Sequence, residues 1–422
     1  IMAVLVGMVD VVMVAAVGEA AVSGVSLVDS ISVLIIQIMG ALATGGAVIS
    51  AQYLGKEQPR DARKAAGQLV SVTLALSMVI SLIAVIGNRH LLGAIFGKVE
   101  LSVMDNAQTY FLITALSYPF IGLYNACAAL FRSMGNSRIT LQVSVLMNII
   151  NVGGNALCVF GLKMGVAGVA VPSLVSRAVA GLCLYVLLRN PDRPIHLNRE
   201  RFRFQWRVIR KILYIGIPSG IENGIFQLGR VIVVSIIAGF GTAQIAANGV
   251  ANSLDSMGCI IGQGMNLAMI TVIGQCVGAG DLAQVRYYTK KLLLVTYAAT
   301  AVTNSLILLF LHPILGLYGL GAEATELAYI LVMIHDGLAI LLWPASFVLP
   351  NMLRACNDVK YTMTIAVFSM VTFRIGLSLV FGVRMGMGAV GVWIAMVADW
   401  VFRVCCFVGR YFRGTWRKHC NL

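Results

Sequence analysis

RSMGNSRIT at residues 132–140 and RACNDVKYT at 354–362 are two versions of one phrase. Each closes an apolar run with an arginine, turns through small or amide residues, and opens the next run with a basic residue and a threonine. Two more pairs keep nearly the same separation. QYLG at 52–55, with Arg63 following, answers QCVG at 275–278, with Arg286 following. FGLKMG at 160–165 answers FGVRMG at 381–386. Three matches in one order at one near-constant offset make the chain a tandem repeat.

The runs between these phrases are about 20 residues long, the length of a membrane-crossing helix. Of 422 residues, 59% are hydrophobic and 11% charged, against about 25% charged in a soluble domain. Lipid is the solvent that suits this composition. Barrel strands would be half as long and strictly alternating, so the chain reads as an all-α polytopic membrane protein.

About twelve spans follow from the runs: 1–17, 26–52, 65–87, 107–131, 139–161, 166–188, 212–238, 245–276, 290–311, 327–353, 361–382 and 387–409. Six spans per copy is an even number, so both copies enter the membrane in the same sense. The expected architecture is two six-helix lobes related by a parallel, membrane-normal pseudo-twofold axis. The N-terminal lobe covers 1–188, a basic linker 189–211, the C-terminal lobe 212–409 and a basic tail 410–422. The repeat offset sets Ile1 opposite Gly224, so span 1 is expected to be truncated at its start.

Lys and Arg crowd into the loops after even-numbered spans, the linker and the tail; the loops after odd-numbered spans hold only Arg89, Lys98, Lys163 and Arg384. The even side, with both termini, is therefore expected to be cytoplasmic, in a multi-pass protein of the cell (inner) membrane. The net charge of +14 reflects this bias and attraction to anionic headgroups. Nucleic acid is not an expected partner, since no basic domain with interleaved aromatics stands outside the membrane. The nine cysteines form no zinc or disulfide pattern.

Carboxylates at membrane depth cost about 2.5–3.5 kcal/mol, so they face cavities or partners. In the N-terminal lobe Asp10 lies deep in span 1. Asn148, Asn151 and Asn155 share one face of span 5 at spacings of three and four. Asn125 in span 4 and Ser173, just after Pro172 in span 6, complete a pocket suited to a proton or a hard monovalent cation. Each amide alone also serves as helix–helix glue. In the C-terminal lobe the candidate pocket residues are Glu222, Asp255, Asp336 and Asp399. Asp399 has Arg403 four residues on and Arg374 in the next span as partners. Gly337, Pro344 and Pro350 are expected to bend or break span 10. Catalytic motifs are absent, and all five histidines (His90, His196, His312, His335, His419) are placed near loops or span ends, so no enzyme is expected.

The chain resembles the multidrug and toxic compound extrusion (MATE) family over essentially its whole length. The resemblance rests on MVDVVMV at 8–14, the two Q-x-x-G loops, LFRSMGN at 130–136 and NVGGNALCVFG at 151–161. It implies an antiporter that exports cationic amphipathic organic compounds by alternating access, driven by H+ or Na+, with no other cofactor. It implies an N-lobe ion site at Asp10, Asn125, Asn151, Asn155 and Ser173, with Na+ at Asp10, Asn151 and Asn155. Some relatives carry aspartate where Asn155 stands. A monomer whose partners are small organic cations and the bilayer is expected. The alternative is a flippase of lipid-linked oligosaccharide, a related architecture whose anionic cargo would suit Arg177, Arg230 and Arg374.

Overall fold

The computed structural model describes residues 13–14, 16–96, 100–197 and 204–420, and all regular structure among them is helical. The helices are α1 (Glu19–Gly55), α2 (Pro59–Phe96), α3 (Leu101–Leu116), α4 (Tyr118–Ser133), α5 (Ser137–Ala156), α6 (Ala167–Leu187), α7 (Trp206–Ala238), α8 (Thr242–Gly258), α9 (Ile260–Gly278), α10 (Leu282–Leu309), α11 (Leu311–Leu317), α12 (Ala322–Trp343), α13 (Leu349–Ala355), α14 (Val359–Ser369) and α15 (Gly388–Arg413). Among the described residues, ten helical stretches are long and apolar enough to cross a membrane, and α3 with α4 makes an eleventh as a pair bent by 44°. These match spans 2–12 in order. Span 1 lies almost wholly outside the described residues.

The surface of these helices is apolar, the reverse of a soluble bundle. Val79, Leu82, Ile83 and Ile86 recur along one exposed face of α2, and Ile86 is 74% exposed. An apolar stripe of that kind is tolerated where hydrocarbon surrounds it.

The chain divides into two compact units, Ile1–Leu54 with Gln58–Gly220 and Gly55–Glu57 with Ile221–Leu422. The division falls inside α7, two residues after Pro218, and not in the basic linker where the sequence sets it. In unit 1, α5 and α4 pack on α6, and α2 on α3 and α4. Its core gathers Val28, Leu92, Phe111 and Tyr118. In unit 2, α12 packs on α8, α10 and α15, around Trp343, Trp393, Trp400 and Phe407. The tail is not loose, since Trp416 is buried in this core.

Two breaks depart from the sequence reading, and a third agrees with it. Span 8 is not one helix; it is broken at Cys259. Span 4 bends at Ser117, just before Pro119, whose ring cannot donate a helical hydrogen bond. Span 10 continues from α12 through a π-helical turn, Pro344–Val348, into α13, as its prolines lead one to expect.

The repeat is written in backbone conformation as well as in sequence. Gly18 and Gly241 both have positive φ just before a helix, as do Glu57 and Gly280. Leu162 donates to the Leu157 carbonyl and Met385 to the Val380 carbonyl, closing the same π turn in each copy. Met164 donates to Cys158 and Met387 to Phe381 in the next bond of that turn. Gly165 and Gly388 then follow at φ +61° and +59°, a left-handed turn that glycine adopts without cost. The backbone thus pairs Gly165 with Gly388, two positions beyond the Gly386 that the FGVRMG phrase sets opposite it.

Close helix approach identifies the glycines that cannot be enlarged. A Cβ on Gly181 of α6 would sit 2.6 Å from the Phe120 carbonyl oxygen, while one on Gly153 of α5 meets nothing. Gly181→Ala is expected to destabilise the protein by about 1–3 kcal/mol through overpacking. Gly153→Ala is expected to leave the melting temperature of the detergent-purified protein unchanged or slightly raised.

Candidate functional site

Unit 1 brings three of its five expected site residues together. Asn151 and Asn155 are one turn apart on α5, and Asn155 Nδ2 donates to Asn151 Oδ1 at 3.5 Å. Asn151 Nδ2 donates to Ser173 Oγ at 2.9 Å, and Ser173 donates to the Val169 carbonyl one turn back on α6. The amide nitrogen of Asn125 is buried without a hydrogen-bond partner among the described residues. Asp10 lies outside the described residues. The described part of this pocket offers amide and hydroxyl oxygens, which suit sodium, but its carboxylate is not among them.

Unit 2 holds its acids in separate pairings. Glu222 on α7 contacts Arg354 at 2.5 Å, and Arg354 also donates to Asn351 Oδ1. Glu222 is thus a partner in a largely buried ion pair. Asp399 accepts from Arg403 Nε at 3.0 Å and from the Ser369 hydroxyl, while Arg374 stands off at 4.0 Å. Arg403 lies over the rings of Phe226 and Phe347, so its charge is held by carboxylate and aromatic faces together.

The third cluster has different chemistry. His335 Nε2 lies 2.7 Å from Asp255 Oδ1, and His335 Nδ1 lies 2.7 Å from Asp336 Oδ1. Cys259 Sγ donates to the same Asp255 oxygen at 3.3 Å. Helix α8 supplies Asp255, the break after it supplies Cys259, and α12 supplies the adjacent pair His335 and Asp336. The rings of Trp393 and Trp400 stand edge-on to the imidazole at 5.6 and 4.9 Å. His335 and Asp336 are each 1% exposed in their side chains, and Asp255 26%.

A neutral imidazole has one N–H and one lone pair. Asp336 is hydrogen-bonded to Nδ1, while Asp255 stands 2.7 Å from Nε2 without hydrogen-bond alignment. Two carboxylate oxygens this close to both ring nitrogens favour a second proton, on the ring or on a carboxyl. The expectation that all histidines lie near loops or span ends is corrected here. His335 is in the interior of α12, which begins at Ala322 and not near 327. Glu323 and Glu326 pull the apparent span start inward, yet acids are favoured in a helix's first turns. The adjacency of His335 and Asp336 inside an apolar run was the available signal. No sequence pattern pointed to Cys259.

Spans of this kind carrying buried ionisable groups define a polytopic α-helical membrane protein that handles charge within its helices. The MatE family profile matches residues 1–157 and 218–380, and the chain belongs to that family of membrane transporters. It is similar to the uncharacterized transporter YisQ of Bacillus subtilis, 27% identical over 408 residues, 94% of this chain and 87% of that one. It is 24% identical over 407 residues to a probable multidrug resistance protein NorM of Thermotoga maritima, covering 95% of this chain and 87% of the relative. A multidrug resistance MATE family transporter of the MOP superfamily, solved in an outward-facing conformation, shares its fold with a TM-score of 0.92 at 18% identity, over 99% of this chain and 93% of that one.

Removing one member of a buried ion pair strands the other. Glu222→Gln is expected to destabilise the purified protein by about 3–5 kcal/mol, with much of the loss recovered in Glu222→Gln/Arg354→Gln. Thermal melts of Glu222→Gln, Arg354→Gln and the double variant measure this.

Proposed function

We propose that this transporter is a proton-coupled antiporter that exports cationic amphipathic organic compounds by alternating access, and that His335 with its two carboxylates binds the proton in the C-terminal unit. The relative named as a probable multidrug resistance protein supports the cargo class. The observation that carries the choice of ion is the imidazole set between Asp255 and Asp336.

With the imidazole doubly protonated and both acids ionised, the cluster holds one net negative charge. That charge is costly at low dielectric unless a cation answers it. Two cations compete to do so. One is an organic cation arriving beside Asp255, the least buried member. The other is a third proton, which makes the cluster neutral. Acid outside favours the proton and releases the cargo; the less acidic interior removes the proton and favours the cargo. The groups facing the imidazole are Asp255 and Cys259 from the α8 side, Asp336 on its own helix and the two tryptophan rings of α15, with Arg374 within coulombic range of Asp255. Nitrogen and sulfur are poor ligands for sodium, so this donor set favours a proton over sodium. Asp10 remains the expected coupling acid of the N-terminal unit.

The test is uptake of a fluorescent organic cation into inverted vesicles under an imposed gradient. An acid-inside pH gradient is expected to drive uptake, and a sodium gradient alone is not. Asp255→Asn and His335→Gln are each expected to lower pH-driven uptake at least about ten-fold, within the usual range of site coupling, in protein that still melts cooperatively. Uptake driven fully by sodium with no pH gradient would contradict the proposal.

A further inference from the structure

The register of the repeat carries the expected unit 1 cation pocket onto named positions of unit 2. Asn151 maps to Arg374, Ser173 to Met396 and Asp10 to Val233. The same register pairs the π turns and the glycine turns after them, so it is a structural register. Arg374, Met396 and Val233 line one pocket in unit 2, together with Arg230, Asn248 and Trp393. The positions that hold an acid, an amide and a hydroxyl in one copy hold an arginine and apolar side chains in the other.

The charges in this pocket are under-answered. Arg374 is 12% exposed, and its nearest acid oxygen, on Asp399, is 4.0 Å away. That carboxylate is already bound by Arg403 at 3.0 Å. Arg374 Nε has no hydrogen-bond partner among the described residues. Arg230, on α7, has no ion pair or hydrogen bond among the described residues, and it lies close enough to Arg374 for the two cations to repel. The Oδ1 atom of Asn248 accepts from Trp393 Nε1 at 3.0 Å, which leaves its NH2 group to donate. Two guanidinium groups and an amide donor thus converge between apolar walls. Like charges at membrane depth are stable together when an anion lies between them.

We propose that Arg230 and Arg374 form an anion site in the C-terminal unit that takes the carboxylate of an organic ligand, whose apolar body lies against Trp393, Met396 and Val233. Guanidinium groups bind carboxylates through paired N–H donors, and the apolar walls select an organic acid over a bare inorganic anion. The site does not depend on which ion drives transport.

The experiment is calorimetric titration of the detergent-purified full chain with benzoate, benzyl alcohol, chloride and phosphate, with no gradient present. Benzoate is expected to bind saturably and the uncharged benzyl alcohol not at all. Tight binding of chloride or phosphate, displacing benzoate, would assign the site to an inorganic anion and overturn the organic-acid proposal. Arg230→Gln and Arg374→Gln are each expected to weaken benzoate at least about ten-fold, the loss of a charged hydrogen-bonded pair. Arg230 is exposed, and Arg374→Gln leaves the Asp399–Arg403 pair in place, so both variants retain the pairings of the fold. Should Arg374→Gln not fold, Arg230→Gln and the charge-keeping Arg374→Lys decide the matter. Benzoate affinity unchanged in Arg230→Gln, or benzyl alcohol binding equal to that of benzoate, would overturn the site.

Discussion

Charge at membrane depth has to be answered by nearby partners, and in the C-terminal unit that constraint organises the helices. An isolated carboxylate in hydrocarbon costs about 2.5–3.5 kcal/mol even on lenient insertion scales. Glu222 meets Arg354, and Asp399 meets Arg403. Arginine does not give up its proton in a protein, so these two pairs keep one charge state. Asp255 and Asp336 have a histidine between them. Imidazole is the partner whose charge follows its surroundings. Of these three pairings it is the one able to change state, and a transporter needs such a group.

The two copies of the repeat share a backbone and differ in charge. Their π turns, glycine turns and close helix contacts recur in register. Cβ atoms added at the equivalent glycines Gly168 and Gly391 would meet the backbone of Cys158 and of Phe381. The polar groups do not recur. Unit 1 relies on amides and hydroxyls, with Arg177 donating to Ser117 and Tyr110 to Asp29. Unit 2 relies on ion pairs. Packing between helices fixes the small residues in both copies, because a Cβ there would strike backbone. Side chains facing polar space are free of that restraint, so one duplicated frame carries two kinds of site.

Most of the fold was legible because the bilayer imposes long apolar runs and confines Lys and Arg to loops. The repeat phrases at Arg132 and Arg354 then set the order of spans. What stayed hidden depended on tertiary context. The break at Cys259 lies in an apolar stretch that carries no proline. The bend before Pro119 and the π turn at Pro344 had proline signals, but proline fixes the place of a distortion and not its form. In the candidate site, Asp255, Asp336, Asp399 and the Asn151–Asn155–Ser173 group were visible as polar residues in spans. Their partners were not, since α8 and α12 are far apart along the chain and meet only in the fold. His335 was misplaced because Glu323 and Glu326 disguise the first turns of α12 as loop.

The central claim is that a proton on the Asp255–His335–Asp336 cluster and an organic cation exclude each other. The direct measurement is proton release on cargo binding, read with a pH-sensitive dye in weakly buffered, purified protein as ethidium is added. Release of about one proton per bound cation, lost in His335→Gln, is the predicted result, since binding linked to one titrating site displaces one proton. Binding of the same cation with no change in pH, and displacement of bound sodium instead, would contradict it.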